Sequence, residues 1–157
     1  MSEIDRRIRS TRIVVFGLMA GLVFFAVVAL AARKVSNVGN PPFTAAVWTL
    51  GLFVVGVAVA FPVVERPVLQ RIRARTEELR HASDPAALIL NEYVGLTIMR
   101  AGLLEVPGFF GAIVYIVSGS VLGLTVTALA LAFLGLLLPS REALDELAMR
   151  AVRGVLQ

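Results

Sequence analysis

The chain has 157 residues, of which 58% are hydrophobic and only 17% are charged, and its formal net charge is +4. A soluble domain usually has about 25% charged residues, so this composition does not suit a protein that is surrounded by water on all sides. The absence of cysteine excludes a disulfide framework and Cys-ligated metal sites, and the single histidine, His81, has no second imidazole with which to form a metal cluster. We therefore expect no metal and no other cofactor.

Three long stretches contain no Asp, Glu, Lys or Arg, at residues 13–32, 35–64 and 106–140. A bilayer core about 30 Å thick is crossed by roughly 20 helical residues. Together with the turn-rich breaks, these lengths predict four transmembrane helices, at residues 13–32, 43–64, 94–117 and 121–138. The predicted fold is therefore all-α, a four-transmembrane-helix bundle in a single membrane domain over residues 1–157.

The first of these segments has a competing interpretation as a secretory signal peptide. Residues 29–31 have the small-x-small form of a cleavage site, and a basic segment precedes the apolar run. The run is, however, longer than the core of about 7–15 residues that is typical of such signals. We therefore predict that it remains a transmembrane helix.

The basic residues lie mostly on one side of the predicted spans. Twelve arginines fall in the N-terminal segment, the central loop and the tail, whereas only Arg33 and Lys34 fall on the other side. This bias predicts a multi-pass protein of the inner (cytoplasmic) membrane with both termini in the cytoplasm. The arginines form no groove with interleaved aromatic residues, so we expect no nucleic-acid partner. Four arginines are predicted to contact lipid headgroups: Arg71, Arg73, Arg75 and Arg100.

The segments outside the bilayer are predicted to be cytoplasmic helical extensions. In the central loop, residues 66–90, Asp84 and Pro85 are typical of a helix N-cap and the first helical residue. The tail, residues 140–157, repeats apolar residues at the spacing of an amphipathic helix, with Ser140 as its cap. The sequence leaves two possibilities open for the tail. In one, it lies on the leaflet or folds against the bundle. In the other, it docks a partner.

One carboxylate, Glu105, falls near the middle of the third predicted span. A charged side chain at that depth costs several kcal/mol, so the carboxyl group is expected to be neutral, paired or in a polar cavity. Small neighbouring residues predict the close approach of another helix, and a proline two residues later is expected to kink the helix. The predicted packing and kink residues are Ala101, Gly102, Pro107, Gly108, Gly111 and Ala112.

Three roles are open for Glu105: a structural hydrogen bond to a neighbouring helix, the binding of an ion or proton, or contact with a ligand or lipid headgroup. Arg100 lies about 140° away around the helix, so we expect it to extend towards the headgroups rather than pair with Glu105. No His, Cys or second carboxylate accompanies Glu105 at this depth, so we expect no enzymatic activity. The candidate hydrogen-bond partners on other helices are Thr44, Trp48, Thr49, Thr125 and Thr127.

Residues 101–114 resemble the outer helix of the proteolipid (c) subunits of rotary ATPases, in which a glutamate precedes a glycine, aromatic residues, a second glycine and an aliphatic run. The resemblance implies that Glu105 carries an ion. It is local, because residues 43–64 lack that family's dense glycine pattern and a basic helical segment replaces its short polar loop. As a whole, the chain resembles uncharacterised bacterial four-span membrane proteins, and that likeness implies no particular activity.

The predicted function is that of a non-enzymatic integral membrane protein, a structural or assembly subunit of a homo-oligomer or of a larger membrane complex. Its expected partners are the lipid bilayer and other membrane subunits. The alternative is an ion- or proton-binding, translocating subunit that uses the intramembrane carboxyl group of Glu105.

Overall fold

The computed structural model describes residues 3–35 and 43–153, with the backbone alone at residues 34, 35, 43–50, 52–56, 58–60 and 76. This part of the chain forms six α-helices and no β-strand. The helices are α1 (Glu3–Val35), α2 (Phe43–Ala74), α3 (Thr76–His81), α4 (Pro85–Ser118), α5 (Val121–Leu136) and α6 (Arg141–Val152). The predicted all-α class is confirmed.

Two helices extend well beyond the predicted spans. Helix α2 continues through Pro62 and Pro67 to Ala74, so the predicted span of residues 43–64 and the start of the predicted helical loop form one helix. The continuation is stabilised by burial, because Val68 and Ile72 on its added turns pack in an apolar core. Helix α4 begins at Pro85, and the Asp84 side chain caps it by accepting the Ala87 N–H at 3.2 Å.

Among the described residues, α1 and α4 are each long and apolar enough to cross a membrane. Helix α5 has only 16 residues, about 24 Å of helix. It meets the same criterion only together with α6, from which it is bent by 71°. The described residues therefore contain two to three helices of this kind, and the four-span bundle remains a prediction.

Helix α4 is central, packing against α1, α2 and α5, and it contributes to two apolar cores, one at its N-terminal part and one at its middle. The membrane core joins the uncharged parts of α1 and α5 to the middle of α4 through Val15, Leu22, Ala101, Leu104, Val126, Ala130 and Leu134. The extramembrane core joins the charged ends of the helices to α3 and α6 through Ile4, Ile8, Val68, Ile72, Leu79, Ala86, Ile89, Leu90, Leu96, Leu144, Ala148 and Ala151. The N-terminal ends of α1 and α4 both lie in the extramembrane core, so the two helices are parallel.

The tail helix α6 folds against the rest of the chain. The Ser140 hydroxyl caps it by accepting the Ala143 N–H at 3.1 Å, and the Tyr93 hydroxyl of α4 accepts the Ser140 N–H at 3.2 Å. The apolar side of α6 is buried through Leu144, Ala148 and Ala151. Of the two possibilities left open by the sequence, the structure has the one in which the tail packs on the bundle. Residues 154–157 of the predicted tail lie outside the described part.

A tight turn at Gly119 joins α4 to α5. Gly119 has φ of 67°, in the left-handed region that favours glycine, and its N–H donates to the Tyr115 carbonyl at 2.7 Å. Helix α5 therefore runs back antiparallel to α4, which brings the second half of α4 against α5.

Candidate functional site

Helices α4 and α5 come closest at a pair of glycines. A Cβ atom placed on Gly111 would lie 2.5 Å from the Gly123 carbonyl oxygen, and one placed on Gly123 would clash with the Gly111 carbonyl oxygen in the same way. The hydroxyl of Thr127 donates across the same contact to the Gly108 carbonyl at 2.8 Å. Backbones approach this closely in membrane proteins where the residues are small, so these glycines set the separation of the two helices.

Helix α1 completes this packing at Gly108. A Cβ atom there would lie 2.7 Å from Leu22 Cδ2 on α1 and 3.0 Å from Ala130 Cβ on α5. Ala101 and Ala112 of α4 are fully buried in the same region. Helix α4 continues through Pro107 without interruption. Of the residues predicted to pack helices, three lie where α4 meets α1 and α5, namely Ala101, Gly108 and Gly111, and Ala112, one turn after Gly108, is buried.

An aromatic contact shows which residues of α1 and α4 lie at the same height along the bundle. The rings of Phe25 and Phe109 meet edge to face, with centroids 5.1 Å apart. Because the two helices are parallel, the residues one turn before this contact, Gly21 and Glu105, lie at the same level. Two turns before it lie Gly17 on α1 and Gly102 on α4.

The three glycines on this side of α1 and α4 are not packed. A Cβ atom on Gly17, Gly21 or Gly102 would meet no atom within 4 Å, in contrast to the crowded Gly108. Large apolar side chains beyond them are exposed as well, with Phe24 at 69% and Val106 at 70% of their full accessibility. We call the surface formed by Gly17, Gly21, Gly102 and Glu105 the α1–α4 face.

Glu105 is half-buried at the edge of the α1–α4 face. Within residues 3–35 and 43–153 its carboxylate forms no hydrogen bond and no ion pair. Of the candidate partners, Thr127 donates to backbone oxygens of α4 and α5 and Thr125 donates to the Val121 carbonyl on its own helix. The side chains of the other three candidates, Thr44, Trp48 and Thr49, lie outside the described part.

Two arginines that were predicted to contact lipid headgroups lie in ion pairs between helices. Arg100 of α4 holds Glu65 of α2, with Nη2 and Oε1 2.5 Å apart and both side chains 28% exposed. Arg75, just after α2, holds Glu92 of α4 at 3.2 Å. Arg71 and Arg73 of α2 are exposed. The two pairs fasten the end of α2 to α4. The Arg100–Glu65 pair is part-buried, so removing one of its partners is costly.

Neither the α1–α4 face nor the Glu65–Arg100 pair was predicted from the sequence. Gly17 and Gly21 have the G-x-x-x-G spacing of helix-packing faces, so the α1 part of the face could have been predicted from the sequence. No local signal marks the ion pair, because its residues are separated by 34 others and meet only after α2 packs on α4. In the described part, no three His, Asp or Glu side chains converge in a way that would hold a metal ion.

Comparison of the chain with models of protein families, with curated proteins and with solved structures gives no match.

Proposed function

We propose that the protein is a non-enzymatic integral membrane subunit that crosses the inner membrane four times, with both termini in the cytoplasm. Helices α1 and α4 are long and apolar enough for two crossings. The other two are assigned to the uncharged parts of α2 and α5, because both lie beside α4. The orientation is supported by the twelve arginines on one side of these segments.

The subunit assembles with copies of itself through the α1–α4 face. The observation that carries this proposal is the empty space over Gly17, Gly21 and Gly102, which contrasts with the crowding at Gly108 and Gly111 in the same membrane region. In lipid, helices associate by close packing over small residues and by hydrogen bonds between polar groups. A neighbouring subunit seated on this face supplies the packing and gives the Glu105 carboxyl group a hydrogen-bond partner.

The experiment places isoleucine at Gly17 and Gly21, alone and together, and measures association by energy transfer between labelled copies in vesicles. Because the added side chain separates the helices, we expect the double variant to associate about tenfold more weakly, or about 1.4 kcal/mol. The control is Gly51→Ile, since Gly51 is an exposed helical glycine of α2 that also has no atom within 4 Å of a built Cβ. Equal effects at the two sites, or a stable monomer in the parent protein, would contradict the proposal.

A second candidate function is the binding of an ion or proton by Glu105. It is supported by the lack of a hydrogen bond or ion pair to Glu105 from the described residues and by the local resemblance of residues 101–114 to proteolipid subunits. Modification by dicyclohexylcarbodiimide and proton uptake by vesicles test it. Under this proposal Glu105→Gln abolishes both signals while association is unchanged; under the assembly proposal Glu105→Gln is tolerated and Glu105→Leu weakens association.

A further inference from the structure

A cavity of about 330 Å³ lies where α1 meets the start of α6. Its lining contains three arginines and one carboxylate, so the charged lining carries a net charge of +2. The residues that line it are Asp5, Ile8, Arg9, Arg12 and Arg141. A concave site with several guanidinium groups favours an anion with several oxygen atoms, above all a phosphate group.

The cavity lies at the border between the uncharged and charged parts of the chain. Arg12 is the last charged residue before the uncharged stretch of α1, and Arg141 is the first charged residue after the uncharged stretch that ends at residue 140. Both residues are therefore at the boundary between hydrocarbon and water, whichever side of the membrane this end of the bundle occupies. The phosphate groups of phospholipids lie at the same depth, so they reach the cavity without leaving the bilayer.

The guanidinium groups in the cavity retain unused donors. Arg12 is held in place because its Nε donates to the Pro139 carbonyl at 2.7 Å, and its two Nη groups donate to no other described residue. Arg9 forms no hydrogen bond or ion pair with the described residues. Arg141 contacts Asp5 at 3.5 Å and Asp145 at 3.9 Å, both on the exposed surface. One arginine is thus fixed by the backbone and another is open to a ligand.

We propose that this cavity is a binding site for the phosphate group of an anionic phospholipid, such as phosphatidylglycerol, from the adjoining leaflet. Basic pockets between transmembrane helices at this depth hold such headgroups. The site is separate from the α1–α4 face, so it does not depend on the oligomeric state proposed above. It also differs from the predicted headgroup contacts, of which Arg75 and Arg100 bind carboxylates of the protein itself.

The test measures binding of dioctanoylphosphatidylglycerol to the full chain in neutral detergent, by native mass spectrometry and titration calorimetry. We expect saturable binding of one lipid, with Arg9→Gln weakening it about fivefold, the value of one basic residue at an anionic surface. The matched control is Arg6→Gln, since Arg6 is an exposed arginine of α1 that does not line the cavity and has no partner among the described residues. Arg9 likewise has no such partner, so neither variant removes a contact that stabilises the fold.

A third variant tests the sign of the electrostatics in the cavity. Asp5→Asn removes the one carboxylate among the described residues of the lining, together with its contact to Arg141, so we expect this variant to bind the same lipid more tightly than the parent protein. Equal losses for Arg9→Gln and Arg6→Gln would overturn the site in favour of diffuse surface attraction. Equal affinity for dioctanoylphosphatidylcholine would also overturn it. If inorganic phosphate competes as well as the lipid does, the site takes a soluble phosphate and the lipid source is overturned.

Discussion

The contact between Gly111 and Gly123 gives the sharpest stability prediction for the membrane region. Replacement of Gly111 by alanine places a Cβ atom 2.5 Å from the Gly123 carbonyl oxygen and 3.0 Å from the Thr127 hydroxyl. Neither atom can move easily, because one is backbone and the other is hydrogen-bonded to Gly108. Helices α4 and α5 must therefore separate by a few tenths of an ångström or more, which also weakens that hydrogen bond.

The reference variant is Gly102→Ala on the same helix, where the new methyl group meets no atom within 4 Å. Both substitutions gain the same helix propensity, up to about 1 kcal/mol, so this gain cancels in the comparison. Overpacking costs about 1–3 kcal/mol. We therefore expect Gly111→Ala to be less stable than Gly102→Ala by about 1–3 kcal/mol.

The assay is unfolding by dodecyl sulfate in mixed micelles. Energy transfer between labels on two cysteines introduced on α4 and α5 reports their separation, and the parent chain has no cysteine that would interfere. Measurements at low protein concentration keep subunit association out of the comparison. Equal stability of the two alanine variants would refute the inferred close approach of α4 and α5.

Two further predictions concern single contacts. Thr127→Val keeps the side-chain shape but removes the hydrogen bond to the Gly108 carbonyl, so it should lower the free energy of unfolding by about 1 kcal/mol in the same assay. The control, Thr125→Val, loses only a hydrogen bond within its own exposed turn and should cost much less. Leu144→Ala empties a fully buried position of the extramembrane core and should destabilise the docking of α6 by about 2–5 kcal/mol. Faster amide hydrogen exchange of α6 measures that loss, and Met149→Ala, at a position 51% exposed on the same helix, should leave the exchange rate almost unchanged. A similar rate in both α6 variants would show that the core does not hold the tail helix.

Much of the local structure was predictable from short stretches of sequence. The helix starts at Asp84–Pro85 and at Ser140 follow from capping chemistry, in which a side-chain oxygen accepts an N–H three residues later. The spacing of the tail predicted an amphipathic helix, and Leu144 and Ala148 on its apolar side are buried. These features depend on residues within one or two turns, so no long-range contact is needed to predict them.

The continuity of α2 from residue 43 to Ala74 was not predicted, for the opposite reason. Glu65 and Pro67 are local signals that end a span, yet the helix continues to Ala74 because the turns that follow enter the extramembrane core. Glu65 itself is stabilised by Arg100 from α4. Both compensating interactions come from parts of the chain that are distant in sequence, so they override the local signals only in the folded molecule.

The amino-acid sequence alone determined that the protein is helical and apolar over lengths that suit a bilayer, because in lipid every backbone polar group must be satisfied within its own helix. Only the tertiary structure decided which small residues of α4 are covered. Gly111 is closed by Gly123 of α5 while Gly102, nine residues earlier, is open. A glycine in the sequence shows only that another helix can approach closely. The position of the neighbouring helices determines whether a helix of the same chain makes this approach or the glycine is left open for another molecule.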